Sequence, residues 1–129
     1  MVFGRRISPE VAAQFADDRE FAANYPDRIA AVGRAEGALR EAQAERRDAS
    51  EVRVLHGELE AALSEAIAAA EAAERVAMGT RAYGSTRAAE IFRRKAKAKP
   101  SVRPYSDELD RLRTAREAHK LSFRALTRV

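Results

Sequence analysis

The chain has 129 residues, enough for one small domain, with 34% charged residues, no Cys and no Trp. The missing Cys excludes a disulfide framework and a thiolate metal site, and no apolar run approaches the ~20 residues of a membrane span. The net charge of +4 conceals a split: residues 1–78 carry ten Lys/Arg against fifteen Asp/Glu, and residues 79–129 carry fourteen against five.

The apolar fraction is 46%, and alanine supplies about half of it. Alanine favours helix but buries little area. High Ala with high charge at helical spacing is the composition of long helices or coiled coils. The expected fold is therefore all-α, one helical domain in three parts: 1–26, 27–78 and 79–129.

Met1 to Ile7 forms a short apolar and basic arm, with Val2, Phe3 and Ile7 as docking candidates. No apolar segment follows Arg5 and Arg6, so no signal peptide is expected. Ser8-Pro9-Glu10 is a strong helix start: a hydroxyl cap, a proline at the first helical position, and an acid on the positive end of the dipole. This helix is predicted to reach Asn24, with Val11, Phe15 and Ala22 along one face. Tyr25-Pro26 is predicted to end it, because the residue before proline avoids the helical region.

Asp27 is the next cap candidate. From it, Ile29, Val32, Ala35, Leu39 and Ala42 step by three and four. Gly33 and Gly37 weaken this helix by about 1 kcal/mol each relative to Ala, and they permit close approach of another helix. Residues 44–50 are the ambiguous point. Asp48 and Glu51 have capping-box spacing, and a second stripe starts in a shifted phase: Val52, Leu55, Leu59, Ala62, Ala66, Ala69, Ala73 and Val76. The chain either continues with a phase slip or turns back near Asp48. No Gly or Pro forces a break, which favours one helix of about 75 Å. Leu39, Val52, Leu55, Leu59, Leu63 and Val76 are its helix-packing candidates. From Ala66 to Ala73 the stripe is alanine only, so it offers little free energy per contact and points to neighbours that cover it. Gly79 is the expected left-handed end.

Ser85 or Thr86 is predicted to cap a helix carrying Ala88, Ala89, Ile91 and Phe92, closed by Pro100. Ser106 is predicted to cap the last helix, with Asp107, Glu108 and Asp110 at its positive end. Tyr105, Leu109, Leu112, Ala115, Phe123, Leu126 and Val129 give that helix its apolar face.

No catalytic, cofactor or metal constellation stands out. The two histidines, His56 and His119, are far apart in sequence and lack metal-pair spacing. The Gly79–Gly84 segment lacks the strand and the Gly-Lys-Ser/Thr ending of a phosphate loop. The sharpest feature is the run Arg93, Arg94, Lys95, Lys97 and Lys99, flanked by Arg87 and Arg103. It can meet nucleic-acid phosphate or an acidic partner. It can also pair with Glu58, Glu60, Glu65, Glu71 and Glu74, in the same chain or in a neighbour.

These features together suit a non-enzymatic structural or adaptor subunit whose partners are copies of itself or other subunits. A phage particle fits, with the chain as a minor capsid or head–tail connecting component. The alternative is a nucleic-acid-binding or packaging-associated protein using residues 87–103. The expected location is cytoplasm or virion.

Overall fold

The three-and-four spacing is realised as helix throughout. The computed structural model describes residues 7–127, and the fold is all-α, with no strand among the described residues. The helices are α1 (Pro9–Ala22), α2 (Tyr25–Ala44), α3 (Ala49–Met78), α4 (Arg87–Ala96) and α5 (Arg103–Thr127), with a 3-10 turn at Thr80–Ala82. No helix among the described residues is long and apolar enough to cross a membrane.

Helix α3 is the axis. It has 30 residues, about 45 Å at 1.5 Å per residue, and α1, α2 and α5 all pack against it. Helix α5 runs antiparallel to it. Ser106 reaches Glu74, Arg113 reaches Glu71, and His119 reaches His56, so rising numbers on α5 meet falling numbers on α3. Helix α1 lies beside the last turns of α3 through Asp18 and Arg75, and α2 lies beside the earlier turns through Arg28 and Glu65.

The central run is a hairpin, not one continuous helix. The backbone of Arg46 donates to the Gln43 carbonyl, and that of Arg47 to the Ala42 carbonyl. These two bonds form a Schellman closure, and Arg46, at φ 54°, occupies the left-handed position usually held by glycine. Asp48 stands at the N-cap of α3 but makes no side-chain cap; its carboxylate takes the Ser50 hydroxyl instead.

Several other boundaries shift. Helix α1 ends at Ala22, and Pro26 lies in the first turn of α2, where its missing N–H leaves nothing unsatisfied. Asp27 is then a first-turn acid and not a cap. Helix α4 stops at Ala96, short of Pro100. Pro104 opens α5, so Ser106 is inside that helix and its hydroxyl donates to Glu74 at 2.6 Å. The Ser8 and Thr86 caps form as the sequence suggests, each accepting a backbone N–H at 3.1 Å. Gly79 ends α3 at φ 91°, a conformation that a side chain would strain.

The main core joins Val32 and Leu39 of α2, Leu59, Leu63 and Ile67 of α3, and Leu109 and Leu112 of α5. Val52 and Leu55 pack on its edge. Val76 is only half-buried and lies outside the buried clusters. The alanine run needs no outside cover: Ala66, Ala69 and Ala70 expose 0% of their surface inside this single chain. Ala66 and Ala70 lie in the core with residues of α2 and α5, and the methyl side chains let those helices come near. Gly33 and Gly37, by contrast, face open space.

A smaller cluster of Met78, Ala82, Ala96 and Val102, with Phe92 and Tyr83 against it, roots α4 and the following turn. Of the arm, Ile7 is 53% exposed; Val2 and Phe3 lie outside the described residues, as does Val129.

Candidate anion-contact surface

Helix α4 divides its residues by their spacing. Ala89, Phe92 and Ala96 recur at three and four, and they form the covered side. Arg87, Ile91 and Arg94 recur the same way on the other side, and all three are exposed. Lys95 is exposed beside them, and the turn after the helix presents Lys97 and Lys99. Residues 87–103 hold seven cations and one acid, Glu90.

The nearest acids of α3 are engaged by other groups, although Glu71 and Glu74 line the same cleft as Arg94 and Lys97. Glu65 pairs with Arg28, Glu71 pairs with Arg113, and Glu74 accepts the Ser106 hydroxyl. Among the described residues, no carboxylate lies within ion-pair distance of Arg87, Arg94, Lys95, Lys97 or Lys99. The opposite charges of the two halves therefore meet only at particular points, and the α4 run is not one of them.

Two flanking cations behave differently. Arg93 turns inward and donates to the carbonyls of Ala82 at 2.7 Å and Gly84 at 2.9 Å. It closes the loop before α4 and is a structural residue first. Arg103 stands 3.9 Å from Asp107, a long and exposed pair worth little. The Phe92 ring carries Arg81 at 4.7 Å and Lys99 at 5.2 Å from its centroid. That ring is occupied by cations and half-buried, so it does not offer a platform for an unpaired base.

A cleft of about 760 Å³ opens beside this face, between α1, the end of α3 and α4. Its walls mix Asp18, Glu71, Glu74 and Glu90 with Arg75, Arg93, Arg94, Lys97 and Arg113. Asp18 and Arg75 engage each other, Glu71 engages Arg113, Glu74 takes the Ser106 hydroxyl and Arg93 the backbone, so these groups do not converge on a common point. No group of three or more His, Asp or Glu among the described residues has metal-holding geometry.

One grouping was invisible in the sequence. His56 and His119 stack at 5.1 Å between ring centroids, with Phe123 at 5.3 Å from His56. Nothing in their spacing signals it, since 63 residues separate them; only the antiparallel register of α3 and α5 brings them level.

Comparison of the chain with protein-family models, with curated proteins and with solved structures found no match.

Proposed function

We propose that the chain is a non-enzymatic adaptor or structural subunit of a larger assembly, attached to an anionic partner through the exposed side of α4 and the turn that follows it. One observation carries this reading. Five cations stand together on a rooted helix and the turn after it, with no carboxylate within ion-pair distance among the described residues, while other cations of the chain find carboxylates. Like charges held close together repel, so a fold that leaves them unneutralised is stabilised when an anionic surface arrives. Exposed Ile91 in the middle of the patch adds an apolar contact.

The second reading makes that surface a nucleic-acid backbone. The excess of seven cations over one acid favours it, and the occupied Phe92 ring directs it to phosphates and away from stacked bases. A phage particle presents nucleic acid and subunit surfaces together, which is why a minor capsid or head–tail connecting role is the assembly we favour.

The test is titration of the protein with duplex DNA and, separately, with an acidic polypeptide, followed by fluorescence anisotropy. The variant carries Arg94→Gln, Lys95→Gln, Lys97→Gln and Lys99→Gln together. Binding to one of the two polyanions, weakened at least tenfold in the variant with the thermal midpoint unchanged, supports the reading and identifies the partner class. For DNA, the logarithmic salt slope should fall by about 1 per cation removed. Wild-type protein that binds neither and stays monomeric at micromolar concentration overturns it.

A further inference from the structure

The distal half of α5 is held by few contacts. Leu109 and Leu112 are sealed in the core, but no residue from 113 to 125 is buried. Leu121 is 65% exposed. The inward contacts of this stretch centre on His119 and Phe123, and what they meet is His56. Its side chain is 98% covered in the sense that the residue exposes only 2% of its surface, and neither ring nitrogen has a hydrogen-bond partner. His119 lies over it at an interplanar angle of 28°, and the His119 Nε2–H donates to the His56 carbonyl at 3.0 Å.

We propose that the His56–His119–Phe123 stack is an acid-sensitive latch, which holds residues 116–127 of α5 on α3 and releases them when His56 is protonated.

The geometry supplies the reason. A neutral imidazole serves here as a flat aromatic surface. An imidazolium has two N–H donors, and this site offers neither of them an acceptor. The charges around it are also of the wrong sign. From α5 come His119, Lys120 and Arg124, with Arg116 one turn earlier; the Arg116 Nε is itself buried and unpartnered. Lys120 is 3.8 Å from Glu117 on its own helix. On α3 the charged residues one turn away are Arg53 and Glu60, and Glu60 is the single carboxylate that lines the cavity beside the rings. That cavity, about 200 Å³ and lined by α3 and α5 residues, lies beside the rings, while the His56 ring nitrogens themselves are covered.

Burial first, and the neighbouring His119 second, hold the His56 imidazole below its ordinary value of 6.5. The closed state therefore binds fewer protons than the open one. The latch is fully effective above pH ~6.5 and weakens as pH falls below it, by a factor of ten for each unit that separates the two states. A released segment of this length is marginal as an isolated helix, so opening exposes its amides.

Amide hydrogen exchange, corrected for the intrinsic pH dependence of exchange, tests this at about pH 7.5 and about pH 5.5, on either side of the ordinary histidine value. Protection across residues 116–125 should fall at the lower pH, by at most about tenfold for one proton site, while amides near Leu63 and Leu109 hold theirs. His56→Phe keeps an aromatic surface and removes the proton site, so its α5 should stay protected at both values. An equal fall in His56→Phe, or no fall in the wild type, overturns the proposal. If that variant does not fold, NMR titration of the His56 ring in the native protein decides instead. A midpoint well below 6.5 that coincides with loss of α5 protection supports the latch, and an ordinary midpoint overturns it.

Discussion

Asp18 of α1 receives two hydrogen bonds from the Arg75 guanidinium of α3, at 2.7 and 2.9 Å, and a third from the Tyr83 hydroxyl. One carboxylate thus joins α1, α3 and the loop that leads to α4. Helix α1 has no buried residue of its own, so this network and the half-buried Val11, Phe15 and Ala22 hold it in place. Asp18→Ala leaves Arg75 and Tyr83 without their acceptor. Arg75 is 42% exposed and can be rehydrated, which keeps the expected loss towards the low end of the range for an orphaned partner, about 1 to 2 kcal/mol. Urea unfolding measures it. Hydrogen exchange should show the loss concentrated in α1.

The same contact sets a pH dependence. The Arg75 hydrogen bonds hold the Asp18 carboxyl below its ordinary 3.8; burial opposes this, and the Tyr83 hydroxyl and the Arg75 charge reinforce it. A depressed carboxyl contributes stability that is complete above the unfolded value and is lost as pH falls through the folded one. Acid should therefore loosen α1 only below about pH 4, two units beneath the window of the histidine stack. Exchange across residues 9–22, followed from neutral to acid pH, should show this step in the wild type and not in Asp18→Ala.

The hairpin between α2 and α3 shows what a reading of residues alone can and cannot recover. The phase change between the Leu39 stripe and the Leu59 stripe marks the right place. The usual punctuation is absent, because Arg46 occupies the left-handed turn position that a glycine would advertise. Proline misleads in the opposite direction. Pro26 reads as part of a helix end and proves to lie in a helix start, since a proline fits the first turn as well as it fits the residue after the last. The caps at Ser8 and Thr86 depend only on neighbours three residues away and were legible. The cover over the alanine run and the meeting of His56 with His119 depend on which helices pack together, and no local pattern encodes that. The basic run was legible as charge; that Arg93 serves the loop while Arg94 faces outward required the fold. The left-handed arginine is itself testable. Arg46→Gly should relieve strain of roughly 1 to 2 kcal/mol against a glycine entropy cost of about 0.5 to 1 kcal/mol. The expected outcome is a small gain in stability by urea unfolding, with no change in helical content.

Adjacent cations on α4 should respond oppositely to truncation. Arg93→Ala removes the donor to two carbonyls, those of Ala82 and Gly84, in a part-buried loop. Hydrogen bonds from a charged donor to such groups are worth about 1.5 to 3 kcal/mol, and thermal unfolding should report a loss of that order. Among the described residues Arg94 has no carboxylate within ion-pair distance, and it is exposed, so Arg94→Ala should stay within about 0.5 kcal/mol of wild type. In a polyanion-binding assay the order should reverse, with Arg94→Ala the more damaging of the two once binding is referred to folded protein.

The state of the alanine seam decides how far this chain depends on others. If Ala70 lined an interface left open for a partner, a larger side chain there would find room, and it would be neutral or stabilising in the isolated protein. The structure instead places Ala70 at 0% exposure in the same cluster as Leu63 and Leu112, with α5 packed across it. Ala70→Leu must then push helices apart or adopt a poor rotamer, at a cost of about 1 to 3 kcal/mol. Leu63→Ala, at 1% exposure, should cost about 2 to 5 kcal/mol by leaving a cavity in that cluster. Losses in both variants, measured by urea unfolding at concentrations where the protein is monomeric, would locate the closed core within one chain. A neutral Ala70→Leu beside a damaging Leu63→Ala would show that the seam accepts bulk, and would return the alanine run to the list of surfaces that neighbours cover.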